Sequence, residues 1–270
     1  MVALLVATLI GVFITPDGIV IGTDTALSHL GGQVASQQQK YCVTGPRSVA
    51  TLQGAYWLED TVTKATVELH NRFRDLCAEV GNVSSPMTLQ QQVNHIANGL
   101  RTDLVAFFQQ MPAADVIKYA SAPVVARVAV SGYGERGPES VVVGLGIAID
   151  RPTNRWEAQV RPLARLTFSS CGVRFHGQES VVSVLQTDTG VRIPRDELQQ
   201  PDVARLAALL KGECGDASTR TATAMFVQAV RLTLTLGPGF GVPQGTVSLP
   251  VDVITIPRDG SIETTRITSW

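Results

Sequence analysis

The stretch TPDGIVIGTDTALSHLGGQVASQQQKYCV, residues 15–43, opens with a turn and contains one of the chain's few lysines. Its first four letters combine proline with Asp-Gly, which is typical of a tight turn between two strands. The alternating apolar run that follows ends at Asp24. We therefore predict an antiparallel hairpin whose strands cover about Val2 to Ile14 and Ile19 to Asp24, followed by strands near 33–42 and 48–53.

Three further residues stand at regular intervals around Asp24. Thr8 lies sixteen residues before it, Lys40 sixteen after it, and Gly54 closes an apolar run fourteen residues beyond Lys40. A buried lysine needs a partner, because an unpaired charge is costly away from water, and Asp24 is a candidate. Since a lysine beside a hydroxyl can help to deprotonate it, Thr8, Asp24 and Lys40 can form a nucleophilic site. The alternative is a solvated lysine on a strand edge.

The bulk composition is ordinary for a globular protein. The chain has 270 residues, of which 44% are hydrophobic and 17% charged, and its formal net charge is −1. Enough apolar material is present for a large core. Because no basic run exceeds two residues, a role on nucleic acid or on a membrane surface has no electrostatic support. We predict a cytoplasmic protein.

The four cysteines show neither C-x-x-C spacing nor a nearby pair of histidines. A zinc site is therefore not expected, and neither a metal nor a cofactor is predicted. In a chain of this length we expect buried or free thiols in a reducing compartment, and a disulfide remains the open alternative.

The apolar start MVALLVATLIGVFI, residues 1–14, has two interpretations. A signal peptide would begin with positive charge, which this stretch lacks. The run is also too short to span a bilayer. We prefer a buried first strand that pairs through the TPDG turn.

Helical periodicity follows these strands. Apolar steps of three and four over 58–76 predict one helix, and the letters SSP at 84–86 predict the cap of a second helix that reaches Met111. Four aromatic residues are assigned to helical faces: Tyr56, Trp57, Phe107 and Phe108.

The second half repeats strands and then helices. Strands are predicted over 124–170 with a turn at GERGP, and helices are clearest at 201–212 and 218–236. The segment 246–265 predicts a closing hairpin. This order favours an α+β protein built as a four-layer α-β-β-α sandwich, in one domain covering 1–270 with an insertion around 186–218.

The spaced residues resemble those of β-type subunits of the proteasome and its bacterial ring-peptidase relatives, which are N-terminal-nucleophile hydrolases. In that family a threonine, an aspartate, a lysine and a glycine follow one another at intervals of sixteen, sixteen and fourteen residues. Thr8, Asp24, Lys40 and Gly54 match without a gap. SGYGERGP (131–138) and LPVDVITIPRDG (249–260) are similar to two further hairpins of the family.

The resemblance implies a threonine-type peptidase. Thr8 would be the nucleophile once removal of Met1 to Ala7 frees its amine to act as the base. Lys40 would lower the pKa of the Thr8 hydroxyl, and Asp24 would orient Lys40. The backbone N–H of Gly54 would stabilise the oxyanion, and such a donor is worth about 3 kcal/mol. Leu52 and the residues after Asp24 would line the peptide groove.

The resemblance also implies partners, namely a polypeptide substrate, identical subunits in a homo-oligomeric ring, and an ATPase. A helix face rich in leucine and phenylalanine favours an assembly as well, because such a face needs covering.

Departures from the family pattern support a second hypothesis. Ala7 stands where the family has glycine, Ala26 stands where it has arginine, and CGVRFHGQES (171–180) lacks its Gly-Ser-Gly-Ser run. The alternative is therefore a non-catalytic ring or scaffold subunit with the same fold.

Overall fold

The computed structural model describes residues 2–4, 9–28, 34–60, 62–119, 124–150, 152–153, 155–167, 171–177, 180–186, 193–242 and 247–269. The chain divides into two compact units, each assembled from separate segments. The first unit comprises 1–6, 40–134 and 140–166, and the second comprises 7–39, 135–139 and 167–270.

Among its described residues, the first unit contains a five-stranded sheet in the order β12-β11-β10-β7-β6, a three-stranded sheet in the order β1-β8-β9, and three helices. The strands are β1 (Val2–Leu4), β6 (Tyr41–Gly45), β7 (Ser48–Gly54), β8 (Trp57–Asp60), β9 (Thr66–Glu68), β10 (Ala126–Gly134), β11 (Gly137–Asp150) and β12 (Arg155–Thr167). The helices are α1 (Leu69–Gly81), α2 (Leu89–Phe108) and α3 (Ala113–Tyr119).

In the part that the structure describes, the second unit contains a five-stranded sheet in the order β13-β2-β3-β14-β15, the strand pair β4-β5, and four helices. The strands are β2 (Leu9–Thr15), β3 (Gly18–Asp24), β4 (Ala26–Ser28), β5 (Val34–Gln37), β13 (Gly172–Gly177), β14 (Val251–Pro257) and β15 (Glu263–Ile267). The helices are α4 (Ser180–Gln186), α5 (Arg195–Leu198), α6 (Pro201–Leu210) and α7 (Thr219–Leu236), and a 3₁₀ turn covers Gly237–Phe240.

These elements confirm a mixed α+β chain with antiparallel sheets. The hairpin of β2 and β3 forms at the predicted turn, with Thr15 paired to Gly18. Its first strand is shorter than predicted, because Val2–Leu4 form β1, which pairs with β8 instead. Every residue of β2 and β3 is buried. These strands are flanked by β13 and β14 within the sheet, and α7 packs against them. The stacking of four layers, the single domain and the insertion at 186–218 remain predictions.

The first predicted helix, 58–76, is wrong over residues 58–68. Leu58 lies in β8, which pairs with β9 in the register Leu58 to Val67, and α1 begins only at Leu69. The turn between the two strands is held by Asp60, whose carboxylate accepts the N–H groups of Val62 and Thr63. Cross-strand pairing outweighs the helical spacing of the apolar residues here.

The cap of the second helix also differs from the prediction. Its N-cap is Thr88, which forms a capping box with Gln91, so the SSP letters precede the helix. The apolar face of α2, including Leu100, Leu104 and Phe107, is buried within the first unit. That face therefore needs no second subunit to cover it, which removes one of the two arguments for an assembly.

The expectation of free thiols is wrong. Cys42 bridges to Cys77 with Cα atoms 6.3 Å apart, and Cys171 bridges to Cys214 with Cα atoms 5.7 Å apart. Both separations lie in the range that a disulfide requires. The sequence could not give the pairing, because the partners are separated by 35 and 43 residues.

Candidate functional site

Asp24 lies at the end of β3 in the second unit, and it is completely buried. Its Oδ1 atom accepts a hydrogen bond from the backbone N–H of Leu9 at 3.0 Å. Leu9 is the first residue of β2 and follows Thr8 in the sequence. The carboxylate is thereby fixed on the backbone next to the predicted nucleophile. Thr8 itself lies outside the described residues.

Lys40 belongs to the first unit, where it directly precedes β6 and is also completely buried. Its carbonyl oxygen accepts the backbone N–H of Leu52 at 3.0 Å. Its Nζ atom lies 6.0 Å from the centroid of the Tyr56 ring. The solvated edge lysine considered from the sequence is therefore excluded.

Gly54 ends β7 with a φ of +99°, a region that residues with a side chain rarely adopt. A Cβ atom at this position would lie 2.6 Å from the carbonyl oxygen of Val125. That same oxygen accepts the N–H of Ala55 at 3.0 Å. Conformation and close packing both require glycine at the end of this strand.

The predicted site residues are thus distributed over both units. In the first unit, Lys40 is hydrogen-bonded to Leu52 of β7, and Gly54 ends the same strand. In the second unit, Asp24 accepts a hydrogen bond from Leu9 at the start of β2. Each set is defined within its own unit, and the convergence of Thr8, Asp24 and Lys40 remains a prediction.

Tyr56 is a residue whose position the sequence did not reveal. It lies in the bend between β7 and β8, not on a helical face, and is 1% exposed. Its hydroxyl donates a hydrogen bond to the carbonyl oxygen of Leu52. Its ring stacks on His70 with ring centroids 5.4 Å apart. No local pattern signals this role, because the contacts join residues from separate elements.

His70 is close to fully buried at the start of α1. Burial, followed by the positive charge of Arg74, lowers the pKa of His70 below its usual 6.5. The neutral imidazole is therefore the form that stacks on Tyr56 near neutral pH.

Other kinds of site find no support in the part of the chain that the structure describes. There, no group of three or more His, Cys, Asp or Glu side chains is arranged to hold a metal ion. Among the same residues, every helix is too short or too polar to cross a membrane.

The described elements form an α+β chain, with Asp24 buried at the end of β3 and Lys40 buried directly before β6. The chain matches no protein-family model and no curated protein sequence. Among solved structures, its fold is similar to that of "Anbu (ancestral beta-subunit) from Yersinia bercovieri", with a TM-score of 0.50 and 12% sequence identity. The match covers 96% of this chain and 87% of that chain.

This comparison corrects the resemblance drawn from the spaced residues. The structure that the chain resembles is an ancestral β-subunit, and no family model assigns the chain to the proteasome β-type subunits or to their bacterial ring-peptidase relatives. At 12% identity the likeness concerns the fold. Four residues at matching intervals are too few to define a family.

Proposed function

We propose that this chain is a threonine-type peptidase with an Anbu-like fold, in which Thr8 becomes the nucleophile when residues 1–7 are removed. One observation carries the proposal. The buried carboxylate of Asp24 binds the backbone N–H of Leu9, the residue directly after Thr8. A buried charge at that place is costly unless it has a partner, and an acid–base site gives it one.

Lys40 supports the same assignment. An ammonium group held away from water favours the deprotonated form of a neighbouring hydroxyl, and this activates the hydroxyl as a nucleophile. In the proposed site Lys40 faces the Thr8 hydroxyl, Asp24 orients Lys40, the N–H of Gly54 stabilises the oxyanion, and Leu52 lines the peptide groove. The fold proposed for the chain is the four-layer α-β-β-α sandwich.

The proposal extends to the assembly. The fold is similar to that of a protein described as a β-subunit, and we propose a homo-oligomeric ring that confines a polypeptide substrate, served by an ATPase in the cytoplasm. Neither the ring nor the ATPase enters the chemical step proposed at Thr8.

A second candidate is a non-catalytic ring or scaffold subunit. Ala7 in place of glycine and the absence of a Gly-Ser-Gly-Ser run in 171–180 favour it. Cys171, which opens that segment, is used in a disulfide with Cys214.

The first measurement is the N-terminal residue of the purified protein, because a chain that begins at Thr8 has a free threonine amine. The second is hydrolysis of fluorogenic peptides with apolar, basic or acidic residues before the scissile bond. A protein prepared to begin at Thr8 should turn over at least one of them. The protein that begins at Met1 should turn over none.

Matched variants identify the groups responsible. In the protein that begins at Thr8, Thr8→Ala should abolish turnover, while Thr8→Ser should retain part of it because a hydroxyl remains. Lys40→Ala should be nearly as damaging, and Asp24→Asn less so. Absence of turnover in a folded protein that begins at Thr8 would favour the scaffold, and turnover that survives Thr8→Ala would contradict both candidates.

A further inference from the structure

Tyr56 and Lys40 are joined by a contact that the proposed chemistry does not use. The Lys40 Nζ atom lies 6.0 Å from the centroid of the Tyr56 ring. Lys40 is 0% exposed and Tyr56 is 1% exposed. A cation over an aromatic face is attracted to it, and the attraction is stronger where water is excluded.

The ring is held in place by three contacts with two residues. The Tyr56 hydroxyl donates to the carbonyl oxygen of Leu52. The Tyr56 carbonyl oxygen accepts the backbone N–H of His70 at 3.2 Å, and the His70 imidazole stacks on the ring at an interplanar angle of 29°. The ring therefore has little freedom to rotate away from the lysine.

Lys40 and Tyr56 are anchored on the same residue. The N–H of Leu52 donates to the carbonyl oxygen of Lys40, while the carbonyl oxygen of Leu52 accepts the hydroxyl of Tyr56. The N–H and the C=O of Leu52, a buried residue of β7, thus fix the Lys40 backbone and the Tyr56 hydroxyl. Such a shared anchor fixes the tip of the tyrosine relative to the backbone of the lysine.

We infer that Tyr56 is the positioning residue for Lys40. Its ring face holds the ammonium group of Lys40 in one rotamer, and its hydroxyl bond to Leu52 locks the ring. The contact is a feature of the first unit alone. Its role in catalysis rests on the proposed function.

The contact is tested by nuclear magnetic resonance without any reference to activity. The chain has four lysines, so protein labelled with carbon-13 at the lysine ε position gives a simple spectrum, and Lys40→Arg assigns the signal of interest. Protons above an aromatic face are shielded by its ring current. The Lys40 ε-methylene protons should therefore lie upfield of those of Lys64, whose side chain is 72% exposed.

Two substitutions separate the ring from the hydroxyl. Tyr56→Phe should keep the upfield shift, because the ring remains, whereas Tyr56→Leu should remove it. A Lys40 signal that coincides with that of Lys64 in the wild type would overturn the inference. So would an upfield signal that Tyr56→Leu leaves unchanged. If Tyr56→Leu does not fold, the wild-type and Tyr56→Phe spectra still decide.

The catalytic role is tested in the protein that begins at Thr8. Tyr56→Leu should lower kcat about tenfold, the loss expected for about 1.4 kcal/mol of cation–π stabilisation, with KM unchanged. Tyr56→Phe should restore most of kcat. The matched control is Phe107→Leu, which removes an equally buried ring on α2 and should leave kcat near the wild-type value.

The outcomes distinguish the two proposals. An upfield Lys40 signal together with no turnover in any variant would support the contact and contradict the peptidase. Wild-type kcat in Tyr56→Leu, with the upfield shift lost, would overturn the positioning role and leave the peptidase intact.

Discussion

Asp24 and Lys40 are buried titratable residues, and each takes part in a hydrogen bond with a strand residue. The Asp24 side chain binds the N–H of Leu9, and the Lys40 backbone binds the N–H of Leu52. A buried charge lowers stability unless its environment compensates it. Burial of both groups therefore requires compensating polar contacts in the folded chain.

Substitution of Gly54 tests the geometry at the end of β7. Gly54→Ala should destabilise the fold by about 1–3 kcal/mol from the strained backbone alone, and by more because its Cβ would lie 2.6 Å from the Val125 carbonyl oxygen. Gly137→Ala is the matched control, since Gly137 has a φ of +106° with no atom within 4 Å of a Cβ. Urea unfolding measures both, and equal losses would contradict the close contact at Gly54.

His70 predicts a pH dependence of stability. Its pKa is lowered in the folded state, chiefly by burial, so the unfolded chain binds a proton first as the pH falls. The contribution of neutral His70 is complete above its ordinary pKa of 6.5 and is lost as the pH falls through the folded-state value. His70→Gln should therefore flatten the fall in urea midpoint below pH 6.5. A parallel fall in both proteins would exclude His70 as the source.

At the scale of elements, the TPDG turn, residues 15–18, is also hydrogen-bonded to the start of helix α7. Asp17 accepts the N–H of Thr219 at 2.9 Å, which ties the turn to the first residue of α7. A carboxylate at a helix N-terminus is favourable, because the N–H groups there lack partners within the helix. Partial burial raises the pKa of Asp17, but hydrogen bonds from Thr15 and Thr219 outweigh it, so this pKa lies below the usual 3.8.

Helix α7 packs on the sheet where two neighbouring strands each have a glycine. Gly11 and Gly22 face each other across β2 and β3, and a Cβ at Gly22 would lie 2.2 Å from the Phe226 ring of α7. Two glycines side by side allow this ring to approach the backbone. The hairpin and α7 therefore pack as one piece of the second unit's core.

Gly22→Ala should destabilise the protein by about 1–3 kcal/mol, because the added methyl forces the Phe226 ring away. The double variant Gly22→Ala, Phe226→Leu should lose less than the sum of the two single losses, since the smaller side chain relieves the clash. Gly81→Ala at the end of α1 is the control, with no atom within 4 Å of its Cβ. Strict additivity in thermal unfolding would contradict the packing.

For the whole molecule, each unit has one disulfide. Cys42–Cys77 ties β6 to α1 in the first unit, and Cys171–Cys214 ties the start of β13 to the segment after α6 in the second. Stable disulfides are typical of oxidising compartments. They therefore do not support the cytoplasmic location, which stays a prediction.

Reduction should lower the free energy of unfolding by about 3–4 kcal/mol for each bridge, given the length of chain that each one closes. Urea unfolding with and without a phosphine reductant measures the loss. In the double variant Cys42→Ser, Cys77→Ser, reduction should lower the free energy of unfolding only by the contribution of the Cys171–Cys214 bridge. Iodoacetamide should modify no thiol in unfolded, unreduced protein, and modification before reduction would contradict the pairing.

The sequence by itself determined the elements that local chemistry specifies. The TPDG turn, the hairpin of β2 and β3, the closing hairpin of β14 and β15, and helix α7 follow from turn residues, alternation and capping, all of which act over a few positions. The regular intervals also singled out Asp24, Lys40 and Gly54, and the structure finds the first two completely buried.

Only the tertiary structure decided the rest, because the deciding contacts join distant residues. Leu58 lies in a strand rather than in a helix because β8 pairs with β9. The two disulfides join cysteines that are 35 and 43 residues apart in the sequence. Tyr56 lies close to Lys40, and Leu52 forms a hydrogen bond with each of them. Local propensity amounts to tenths of a kcal/mol per residue, which pairing and burial readily exceed.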